Sequence, residues 1–71
     1  MINTQHDENL LVVFAVEEYA RQYKISAYET LDLFIKFGIT ESIRQCYDTL
    51  HTQDINECVL FAEDILKRKN V

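Results

Sequence analysis

Apolar residues recur along this chain at spacings of three and four, the period that gathers them on one side of an α-helix. Val12, Val16, Tyr19 and Tyr23 fall on one stripe, flanked by Val13 and Ala20, while Glu17, Glu18 and Arg21 occupy the other side. The pattern predicts a first helix from about Asp7 or Glu8 to Tyr23. Its N-terminal half breaks the stripe. Leu10, Leu11 and Phe14 point toward the charged side, so the first turns are apolar nearly all round. Such a segment is expected to be covered from two directions, by another helix of the chain or by a second subunit.

Lys24-Ile25-Ser26 interrupts the period, and Ser26 with Glu29 forms a capping box that opens a second helix over Ala27 to Phe37. Ala27, Leu31, Phe34 and Ile35 read as its core face, with Thr30 and Phe37 beside them; Glu29, Asp32 and Lys36 make a narrow wet stripe in which Asp32 and Lys36 pair. Gly38 ends it, since the residue past a C-cap adopts a left-handed conformation that glycine tolerates. Thr40 is the expected N-cap of a third helix, Glu41 to about Leu50, with Ile43, Cys46, Tyr47 and Leu50 on one face and Arg44 paired to Asp48 on the other. Asp54 and Glu57 make a second capping box. The fourth helix then runs to about Lys69 on Ile55, Cys58, Val59, Ala62, Ile65 and Leu66, with acid-first pairs Glu63–Lys67 and Asp64–Arg68. The expected fold class is all-α: a compact array of four short helices, with breaks near 24–26, 38–40 and 51–54.

Composition narrows the picture. A chain of 71 residues is expected to form one domain, 1–71, and at that size it hides only about 60% of the surface its unfolded form exposes. Oligomerisation is one way such a chain gains stability. Hydrophobic residues make up 48% of the sequence, proline is absent and glycine occurs once, which favours helices over turn-rich β-structure. The net charge of −5 argues against a sequence-independent grip on nucleic acid. The basic cluster Lys67-Arg68-Lys69 reads as compensation of a helix dipole. No basic leader or long apolar run is present, so a cytoplasmic location and no membrane contact are expected.

The chemistry-bearing residues are sparse. Cys46 and Cys58, taken with His6 and His51, lack the spacing of a zinc site, so no metal and no cofactor is expected. Adjacent carboxylates at Glu17-Glu18 and Glu63-Asp64 diverge on a helix, and a lone central imidazole has no partnered nucleophile, so no enzyme is expected. A helix-turn-helix reading of Gly38 and its flanking helices meets Phe34 where the motif wants a small residue and Arg44 where it wants a β-branched one.

One segment exceeds what packing requires. Tyr47 to Asp54, Y-D-T-L-H-T-Q-D, sets a ring, an imidazole, a hydroxyl and an amide at a helix–helix corner. Tyr47, His51, Thr52 and Gln53 are the candidate binding residues there, with His51 expected to be partly buried beside Tyr47 and bonded near Thr52–Asp54. The run Glu17-Glu18-Tyr19-Ala20, the ending Phe34-x-x-Phe37-Gly38 and the element Tyr47-x-x-Leu50-His51-Thr52 together resemble a family of small bacterial helical proteins of unknown function, over about residues 10 to 67. Leu-His-Thr is the most specific part, and Asp54 stands where that family's pattern leads one to expect a glycine shortly after it. The resemblance implies a cytoplasmic bacterial protein with no activity to carry over, and a partner-binding or antitoxin-like role.

Two classes of function follow. One is a protein–protein interaction module, a homodimer or the binder of a small protein partner, using Leu10, Leu11 and Phe14 with the His51 corner. The other is a small-ligand or nucleic-acid-binding domain built on Tyr47, His51, Thr52 and Gln53, which a pocket converging on His51 would favour.

Overall fold

The computed structural model describes the backbone of residues 4–69 and the side chains of residues 6–69. The outermost positions of the expected 1–71 unit, residues 1–3 and 70–71, lie outside the described residues. Among the described residues the chain forms five helices and no strand: α1 (Thr4–Tyr23), α2 (Ala27–Lys36), α3 (Ile39–Gln45), α4 (Tyr47–Leu50) and α5 (Ile55–Lys69). The expected all-α class holds, with one more helix than the sequence pattern predicts. None of the described helices is long and apolar enough to cross a membrane.

α1 is the central element, packed against α2, α3 and α5. Its buried side, Val12, Ala15, Val16 and Tyr19, meets Phe34 of α2, Ile39 and Ile43 of α3, Leu50 of α4, and Cys58, Val59 and Ala62 of α5 in one apolar cluster. Tyr19 meets Phe34 edge-on at 5.2 Å between ring centroids, the geometry that aligns a positive ring edge with a negative face. The Tyr23 hydroxyl donates to the Glu63 carboxylate, and Gln22 Nε2 donates to Asn56 Oδ1 at 2.9 Å; both contacts fasten α1 to α5.

The caps explain the boundaries. Ser26 Oγ accepts from the Glu29 amide at 3.0 Å, as the sequence predicts, and opens α2. At the end of α1 the amide of Ile25 donates to the Ala20 carbonyl, with Lys24 at φ 56°. This is a Schellman closure with lysine at the left-handed position where glycine is usual. Gly38, at φ 72°, reverses the chain after α2, and its carbonyl accepts from the Ser42 amide, so it also stands at the N-cap of α3. Thr40 is therefore inside the helix rather than its cap; the fully buried Ile39 draws the helix start forward. The Asp54 side chain takes the Asn56 amide at 2.9 Å and its carbonyl the Glu57 amide at 2.8 Å, which starts α5.

Two further expectations need correction. The third helix is divided at Cys46, whose backbone (φ −101°, ψ 17°) turns α4 off the axis of α3. Positions separated by the break no longer stack one turn apart, and Arg44 reaches Asn9 Oδ1 at 3.0 Å and Glu41 at 3.7 Å instead of Asp48. The second correction concerns the core face of α2. Phe34 is fully buried, together with Thr30, whose hydroxyl donates to the Ser26 carbonyl. Ala27 is exposed, Leu31 keeps 40% of its surface in water and Ile35 61%. The principal neighbours of α2 are α1 and α3, which cover Phe34 and leave the Leu31–Ile35 flank largely to solvent.

Candidate functional site

The corner is assembled from α1 and α4. Buried Leu50 anchors α4 to the core, and Tyr47 and His51, one turn apart, lie on a common face. Their rings stack at 4.4 Å between centroids with 6° between planes. The Tyr47 carbonyl accepts the His51 amide at 2.9 Å, and His51 Nδ1 lies 2.7 Å from the same oxygen. A carbonyl only accepts, so Nδ1 is the donor in this contact. His51 is exposed, not partly buried, and its ring bonds back to Tyr47 rather than forward to Thr52–Asp54. The Tyr47 carbonyl, one turn back, lies within reach of both the His51 amide and its ring and serves both, which accounts for the direction.

Across from this stack stand the first turns of α1. Asp7, Leu10, Leu11, Phe14, Tyr47 and His51 line one open cavity of about 280 Å³. Residues that the sequence places in two separate groups, an apolar patch and a polar corner, thus line one cavity. Leu11 is half-buried against the core, whereas Leu10 and Phe14 remain 39% and 52% exposed and form the outer wall. Burial raises the Tyr47 phenol above its ordinary range, and the carboxylates of Asp7, Asp48 and Glu8 push it in the same direction, so the ring stays neutral in an acidic surround. Aromatic faces next to a carboxylate suit an extended cation with an apolar stem.

Thr52 and Gln53 do not join this cavity. Thr52 Oγ1 donates to the Thr49 carbonyl at 3.0 Å and closes the turn after α4. Gln53 lines a different hollow of about 400 Å³ between α4 and α5, with Leu50, Leu60 and Phe61 among its neighbours. Asp7 is the site residue that sequence reasoning passed over. Its signal was present: Asp7, Leu10, Leu11 and Phe14 share one helical face at spacings of three, four and seven. Among the described residues no group of three or more His, Cys, Asp or Glu side chains is arranged to hold a metal ion. Cys46 is half-buried and Cys58 buried, both as free thiols, and burial raises the Cys58 thiol above its usual range, with Glu57 adding to the shift.

Comparison with known proteins places residues 11–69 in a family described as protein of unknown function (DUF3791), and the chain belongs to that family. No curated protein and no solved structure matches it.

Proposed function

Because membership of that family brings no activity with it, we propose a function from the surface alone: a non-catalytic protein–protein interaction module that grips a small partner protein at the α1–α4 corner. The observation that carries this reading is the joint lining of one cavity by Leu10, Leu11, Phe14, Tyr47, His51 and Asp7. An apolar side chain fills the space between Leu11 and Phe14, and a basic residue of the partner, Arg or Lys, lies over the Tyr47–His51 stack toward Asp7. The acidic balance of the chain, with a sequence pI of about 4.8, steers a basic partner toward it. An antitoxin-like role in the cytoplasm, masking the surface of one protein partner, agrees with the family resemblance read from the sequence.

The cavity is at the lower limit of the roughly 300–1,000 Å³ typical of small-molecule sites, and its outer wall is half open. That shape favours a protruding side chain of a larger partner over a free metabolite. The test is capture from the native host with the tagged protein, beside Phe14→Asp and His51→Ala. A defined partner held by the wild type, lost with Phe14→Asp and weakened with His51→Ala, is the expected result. Recovery of the same proteins in equal amount by all three forms would overturn the reading.

A further inference from the structure

A second face lies around α1 from the corner. Val12, Val13 and Val16 of α1 and Ala27, Tyr28 and Leu31 of α2 line an apolar groove of about 300 Å³, with Glu17 the one charged residue on its walls. Ile35 continues the α2 side one turn beyond Leu31. The helix that supplies this stripe has the sequence of a covered element, yet of its apolar residues only Phe34 is buried. Tyr28, at 84% exposure, stands beside the groove rather than in the core.

We propose that this α1–α2 face is the contact surface of a two-fold symmetric dimer, its occupant a second copy of the same chain. Such an interface is made by one patch meeting itself, so the patch must hold both the projection and the recess. This one does. Tyr28 and Ile35 project, the groove beside them is recessed, and its volume accepts a phenol ring with room for a flanking methyl group. A tyrosine inserted in an apolar slot is a frequent energetic centre of protein interfaces. The area agrees as well. Val13, Tyr28, Leu31 and Ile35 retain 46%, 84%, 40% and 61% of their surface. Side chains of that size leave on the order of 400 Å² of apolar surface per copy, half of the roughly 800 Å² per partner of a standard interface and close to its usual apolar share. A chain of net charge −5 resists self-association over most of its surface; on this face the groove walls carry one carboxylate, Glu17, with the exposed Asp32 one turn from Tyr28 and Ile35.

The α1–α2 face and the corner share no lining residue, so different variants test them. Sedimentation equilibrium of the wild type is expected to give twice the 8.4 kDa chain mass. Ile35→Lys and Tyr28→Ala, both at exposed positions, are expected to weaken the dimer at least about 100-fold while circular dichroism shows unchanged helix. Phe14→Asp is expected to leave the dimer intact. In a mixed-label sample, the Tyr28 ring of one copy is expected to show nuclear Overhauser contacts to the Val12 and Val16 methyl groups of the other. A wild type at chain mass up to about 1 mM overturns the proposal. So does a dimer that survives both α2 variants, a dimer lost with Phe14→Asp alone, or the absence of the Tyr28 contacts.

Discussion

Tyr23 links the two longest helices through a single proton. Its hydroxyl donates to the Glu63 carboxylate, and that bond, with burial and the nearby charges following, pushes the phenol from an ordinary value of 10.0 up to about 12. The folded protein thus holds the proton more tightly than the unfolded chain. The stabilisation is fully present below pH 10 and is lost as pH rises through about 12. An ultraviolet titration of the phenols should show a late component near pH 12 that disappears in Tyr23→Phe and moves to lower pH in Glu63→Gln. His51 carries less of the fold. Because its ring lies at the surface and the Tyr47 carbonyl keeps the backbone bond, His51→Ala should cost only about 0.5–1.5 kcal/mol in urea unfolding. The buried imidazole expected from the sequence would have cost more. A loss above about 3 kcal/mol would mean that the ring does more for the fold than one exposed bond and a stack.

At the level of elements, the sequence was informative wherever the controlling interaction is local. The serine cap of α2, the glycine reversal before α3 and the start of α5 after Asp54 all involve residues within four positions of one another. Local rules missed Lys24, because only the closed geometry reveals a lysine in a place suited to glycine. A non-glycine residue at positive φ costs roughly 1–2 kcal/mol, partly offset by the greater freedom glycine has when unfolded. Lys24→Gly should therefore raise the melting midpoint, by up to about 1 kcal/mol in stability. A fall in the midpoint would show that the lysine side chain compensates the backbone strain. The division at Cys46 was equally hidden. No glycine or proline marks it; it arises because Leu50 turns into the core while Tyr47 turns toward α1.

For the whole molecule, helical period tells which residues share a face but not whether anything covers that face. Phe34, Leu31 and Ile35 were therefore equivalent in the sequence and differ sharply in the fold. The same limit applies to the corner. Leu10, Leu11, Phe14, Tyr47 and His51 were each recognisable, but their convergence depends on how α4 is set against α1. With one apolar cluster shared by all five helices, damage at its centre should spread to all of them. Phe34→Ala removes a fully buried ring and should cost about 3–5 kcal/mol, a large part of the roughly 5–15 kcal/mol that holds a typical domain together. Loss of at least about 15 °C in the thermal midpoint, followed by circular dichroism, is the expected result. A variant that still melts within a few degrees of the wild type would place the centre of the core elsewhere.

The break at Cys46 also has a dynamic consequence. α4 spans Tyr47–Leu50 and has one buried anchor, Leu50, while α3 before it has two and α5 after it three. Short segments with few buried contacts open locally at far lower free energy than the global transition. The amides of Thr49 to His51 should thus exchange with deuterated solvent well ahead of those in the middle of α1 and α5, by a partial opening that leaves the core intact. That opening separates the Tyr47–His51 stack from the wall formed by Leu10 and Phe14. A partner seated at the corner must hold the segment closed, and slowed exchange confined to these few amides would be its signature.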